Sequence, residues 1–141
     1  MPSKTAAAQV PAKTPESEKI TINMGFVDLG HVDLLVAEGF YSNRTDFIRT
    51  AIRTHLASHA DVLRQAVSRK MLVLGLQSFS AADLEAVRAA GETLQIRVLG
   101  LAVIAPDVSP ALARATIDSL TVLGALHASP DVKTALAGRI R

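Results

Sequence analysis

"EGFYSNRTDFIRTAIRTHL", residues 38–56, sets Gly39, the aromatic pair Phe40–Tyr41 and the polar cluster Ser42–Asn43–Arg44–Thr45 ahead of an amphipathic run. Phe47, Ile48, Ala51, Ile52 and Leu56 form one apolar stripe at helical spacing, and Ser42 sits where an N-cap belongs. Gly39 supplies the stop of a preceding helix in which Val32, Leu35 and Val36 share a face. Further upstream, "KITINM" (residues 19–24) alternates apolar Ile20, Ile22 and Met24 with Lys19, Thr21 and Asn23, the period of a half-buried strand. Strand, helix, turn and helix within about forty residues bury too little core to stand alone. A lone strand also leaves an open edge. Both difficulties vanish when two chains pair their strands antiparallel and interlock their helices.

This ordered set, "KITINM", "AEGFYSN" and "RTDFIRTAIRTHL", resembles the ribbon-helix-helix family of bacterial DNA-binding proteins, the CopG, Arc and MetJ type. The resemblance covers Lys19 to Leu56, and it departs from the pattern at "NMGFVDLGHVD", where many members carry a proline and acidic residues. Gly25 and Gly30 there blur the start of the first helix. The resemblance implies an intertwined homodimer, a two-stranded antiparallel ribbon plus four helices, which lays the ribbon in the major groove of double-stranded DNA. Ile20, Ile22 and Met24 then face the helices, and Lys19, Thr21 and Asn23 face base edges. Lys donates to guanine acceptors, Asn pairs with adenine, and Thr bonds or packs on a thymine methyl. Ser42, Asn43 and Arg44 offer backbone N–H groups and a cation at a helix start, which in the resembling family grips a DNA phosphate. Ordinary capping explains the same residues, and the two uses are compatible. Arg49 and Arg53 read as solvated charges ahead of phosphate contacts.

From Arg69 onward the chain repeats itself. "MLVLGL", "IRVLGL" and "LTVLGA" place Val-Leu-Gly at 73–75, 98–100 and 122–124. Each triplet leads to an Asp and an apolar residue: Asp83-Leu84, Asp107-Val108 and Asp131-Val132. Helix-start signals lie beside them: a capping box from Ser80 to Asp83, and Ser109-Pro110 and Ser129-Pro130 as N-cap and N1. The expected unit is a short strand plus a short helix, three times over. The period falls within that of leucine-rich-repeat-like βα solenoids, without their asparagine ladder. Solenoid ends expose apolar faces unless capped. "KTALAGRIR" leaves Leu136 and Ile140 apolar, so they are expected to stack on a second copy and build oligomers above the dimer. A ligand-sensing domain and a docking surface for a cognate toxin are the rival readings of this segment.

The expected architecture is therefore α/β: a disordered arm over residues 1–17, a ribbon-helix-helix domain over 18–60, a linker or helix extension over 61–69 and three βα repeats over 70–141. The arm's Lys4 and Lys13 read as parts of a flexible tail ahead of phosphate contacts. Net charge is +2, with 8 Lys+Arg against 7 Asp+Glu up to Arg69 and 7 against 6 beyond it, so neither half is a polycation and a few placed residues must hold any nucleic acid. Cysteine is absent, which excludes disulfides and thiolate metal sites. His55 and His59 stand four apart on a helix, yet two imidazoles do not close a metal site. His31 and His127 read as surface or partly packed residues. No nucleophile–base set, paired carboxylates or phosphate loop emerges, so neither enzymatic activity nor a cofactor or metal is expected. With no apolar run of about 18 residues and no signal-peptide layout, a cytoplasmic, nucleoid-associated protein is expected. The expected role is a sequence-specific transcriptional regulator, a repressor. The alternatives are an antitoxin, a plasmid partition or relaxosome accessory protein, or a self-assembling structural protein.

Overall fold

The computed structural model describes residues 17–141. The expected arm, Lys4 and Lys13 included, lies outside the described residues but for its last position. The chain forms two compact units, one up to residue 53 and one from residue 54 onward.

In the first unit, α1 (Phe26–Ala37) starts directly after Gly25, whose backbone is extended, and runs through Gly30 without a break. The helix ends as the sequence predicts. Gly39 takes a positive φ of 87°, and the N–H groups of Gly39 and Phe40 donate to the carbonyls of Val36 and Leu35. These two bonds close a Schellman motif, which only a residue at ease in the left-handed region completes without strain. α2 (Arg44–Ala57) follows. Val32 is the buried hydrophobic residue among the described residues of this unit. Residues 18–25 carry neither helix nor strand in the single chain, because a strand is defined by the partner to which it bonds. Ile20 and Ile22 stand 75% and 66% exposed, and Phe26, Phe40 and Leu34 are likewise open to solvent.

The boundary falls within α2, whose last residues open the second unit; α3 (Ala60–Lys70) follows, a helix over the stretch expected to be a linker or a helix extension. It stops at Met71, which has a φ of 55° and is the one described non-glycine residue in the left-handed region. Three strands follow: β1 (Val73–Phe79), β2 (Leu94–Ile104) and β3 (Ile117–His127). Helices α4 (Ala81–Ala89), α5 (Pro110–Thr116) and α6 (Pro130–Ala135) come after them in turn. The strands form one parallel sheet in the order β1-β2-β3. The three Val-Leu-Gly triplets lie side by side, Val73 on Val98 on Val122 and Gly75 on Gly100 on Gly124.

Each helix starts where its cap dictates. Ser80 and Asp83 form a reciprocal capping box, while Ser109 and Ser129 accept from Leu112 and Val132 with a proline just inside the helix. These helices cover one face of the sheet. Leu84, Leu112, Ala113, Val132 and Leu136 pack there against Ile96, Val98, Ala102, Ile104, Ile117 and Leu120. Thr116, the buried polar residue of this core, donates its hydroxyl to the Leu112 carbonyl at 2.8 Å. The glycines form a ladder inside the sheet. Their φ values are 108°, 139° and 124°, and a Cβ on Gly100 or Gly124 would collide with the carbonyl oxygen of the preceding glycine in the row. The other face of the sheet carries the rows Leu74–Leu99–Leu123 and Leu76–Leu101–Ala125. No helix of the described residues is long and apolar enough to cross a membrane.

Candidate nucleic-acid interface

The turn between α1 and α2 is built from the residues singled out in the sequence, with one correction of register. The N-cap of α2 is Asn43 and not Ser42: the Asn43 side-chain oxygen accepts from the Asp46 N–H at 2.8 Å, and its carbonyl takes the first helical bond, from Phe47. Asp46 reciprocates one residue further out, accepting from the Ser42 N–H at 2.9 Å. Ser42 thus joins the cap through its backbone N–H. Tyr41 packs edge-on against Phe47, ring centroids 5.0 Å apart, and fixes the entry of the chain into α2. Phe40, beside it, stays exposed.

Arg44 opens α2 and reaches back to α1. Its Nε and Nη2 donate to the two carboxylate oxygens of Asp33 at 2.8 and 2.9 Å, a bidentate pair. The hydrogen bond from Arg44, reinforced by its charge, holds the Asp33 carboxyl below the usual carboxylate range. This pair ties the two helices together and orients the guanidinium, leaving Nη1 outside the fork. Asp33 is the residue of this site that the sequence did not reveal. It lies eleven positions away on another helix, and no local pattern announces such a pairing.

Lys19, Thr21 and Asn23 are exposed, as are Ser42, Asn43 and Arg44. The stripe on α2 is only partly covered: Phe47 and Ile48 are half-buried, whereas Ile52 and Leu56 are about half exposed.

The family model of ribbon-helix-helix transcriptional regulators matches residues 15–133. The chain belongs to this family. No curated protein and no solved structure matches it. As a ribbon-helix-helix regulator it is a DNA-binding, dimerising protein, and the match runs on from the DNA-binding block through the three strands of the second unit.

The remaining candidates separate cleanly. His55 and His59 stack edge-on with centroids 5.1 Å apart, and no group of three or more His, Asp or Glu able to hold a metal occurs among the described residues. Leu136, expected at an exposed end, is fully buried in its own chain's core, where it caps the end of α6. Ile140 bridges to Leu120 beside β3 and remains partly exposed.

Proposed function

We propose that this ribbon-helix-helix regulator is a sequence-specific repressor that reads the major groove with a ribbon paired between two chains. Lys19, Thr21 and Asn23 of each chain meet base edges. At the start of α2, Asn43 and Ser42 with the backbone amides, and Arg44 held in place by Asp33, meet the phosphates that flank the groove. The carrying observation is the exposure of Ile20 and Ile22 in the single chain. Two β-branched residues alternating with three polar ones have no use for solvent on both sides. Pairing with a second copy buries the first set and presents the second. The C-terminal βα units, a solenoid-like domain, join dimers so that several weak DNA contacts act together.

Fluorescence anisotropy tests this reading, with DNA from upstream of the protein's own gene, a scrambled control and two salt concentrations. Tight preference for the upstream DNA is expected, lost in the Thr21→Ala/Asn23→Ala double variant while its oligomeric mass stays unchanged. Equal and steeply salt-dependent binding to both DNAs would leave phosphate contacts alone and refute base reading at this site.

A further inference from the structure

The sheet of the second unit leaves one face uncovered, and the character of that face points to its occupant. Its two central rows, Leu74–Leu99–Leu123 and Leu76–Leu101–Ala125, are wholly apolar across all three strands. Leu74, Leu76 and Leu123 stand 65%, 62% and 50% exposed. Polar groups lie only at the ends of this patch, with Arg97 and Thr121 beyond one row and Ser78 and His127 beyond the other. An apolar centre with a polar rim is the make-up of a protein–protein contact.

We infer that this face is the surface through which two ribbon dimers join, each face covered by the same face of a second copy of the chain. This rests on the ribbon-mediated dimerisation described above. The area decides between one contact and several. Three strands about 4.8 Å apart, with seven residues rising about 3.3 Å each, give a footprint of about 330 Å². One pair of faces buries about 670 Å², well short of the roughly 1,200–2,000 Å² of a stable interface. A ribbon dimer carries two such faces, so two dimers meeting through both pairs bury about 1,300 Å², which reaches that range. The contact is therefore weak between isolated sheets and strong between dimers. A two-fold axis along β2 also sets Leu76 of each copy over Ala125 of the other, large against small, and Leu99 over its own counterpart. The absence of charge from the centre removes the usual obstacle to identical surfaces meeting.

The 141-residue chain, which has no cysteine of its own, provides the test. Light scattering of the wild type should give the mass of four chains. Leu76→Glu/Leu123→Glu should give two chains, half that mass, with an unchanged circular dichroism spectrum. Independently of any added charge, Leu99→Cys should be cross-linked into chain pairs by a short bismaleimide. Packed sheets stand about 10 Å apart, too far for a disulfide. Ala111→Cys, on the exposed side of α5, should remain uncross-linked. A wild type of two chains, a glutamate variant still of four or reduced to one, or no cross-link at Leu99→Cys would overturn the inference. Should DNA preference fail while the mass halves as expected, the regulator reading falls and this surface stands.

Discussion

The glycine ladder makes a quantitative demand on the sheet. At Gly100 an alanine meets two penalties. Its φ of 139° lies in a region held open almost only to glycine, which costs about 1–3 kcal/mol. Its Cβ also collides with the Gly75 carbonyl, and that oxygen belongs to a paired strand and cannot swing aside. Parting β1 from β2 at mid-strand forfeits one or two ladder hydrogen bonds at about 1 kcal/mol each. Gly100→Ala should therefore cost about 3–4 kcal/mol. Gly124→Ala, against the Gly100 carbonyl, should match it. Gly75→Ala isolates the first penalty, since φ is 108° but nothing lies within 4 Å of the new Cβ, and about 1–3 kcal/mol is expected. Gly30→Ala is the opposite case. It sits inside α1 with open space around it, so the variant should gain about 0.5–1 kcal/mol. Urea unfolding followed by circular dichroism at one fixed protein concentration ranks all four. A Gly75→Ala variant as damaged as Gly100→Ala would refute the close approach as the cause, and an unperturbed Gly100→Ala would refute the whole account.

Two further outcomes follow from single side chains. Met71 pays for a left-handed φ of 55° with a side chain that is largely exposed, so Met71→Gly should raise the urea midpoint by the equivalent of about 1 kcal/mol; a lowered midpoint would mean that Met71 packs against something in the assembly. The hydrogen bond and charge of Arg44 depress the Asp33 carboxyl, and the backbone N–H and hydroxyl of Ser80 depress that of Asp83. Groups with a lowered folded pKa stabilise above their unfolded value, near pH 4, and lose that contribution as pH falls through the folded value. NMR titration should find both carboxyls ionising below ordinary aspartates, and Asp33→Asn should abolish its share of the acid sensitivity.

Much of the second unit was written in the spacing of one triplet. Val-Leu-Gly at 73–75, 98–100 and 122–124 announced three equivalent strand-plus-helix units, and the structure pairs those triplets in register. The helix starts were equally plain, because Ser80, Ser109 and Ser129 cap through bonds that span only three residues. Legibility failed where the deciding contact was distant or ambiguous. Ser42 and Asn43 are both good caps, and the packing of Tyr41 on Phe47 accompanies a start at Asn43. The Asp33–Arg44 pair depends on how two helices meet, which composition does not encode. Leu136 looked like an open end because the sequence does not say which way α6 turns its apolar side. The uncovered leucine rows escaped notice for a related reason. Alternating strands of Val, Leu and Ile look the same whether one face or both will be covered.

The two margins of the sheet are finished differently, and local stability is graded as a result. β3 carries company on its outer side: Ile140 bridges to Leu120, the Arg141 N–H donates to the Leu120 carbonyl at 2.8 Å, and the Arg139 guanidinium holds the carbonyls of Arg114 and Ile117. β1 is bonded to β2 alone in the sheet, and within the single chain its leucines are exposed. Amide hydrogens should thus exchange slowest in β2 and fastest in β1, with β3 between them. Opening is then expected to begin at β1, so that one βα unit loosens while the two behind it stay shut.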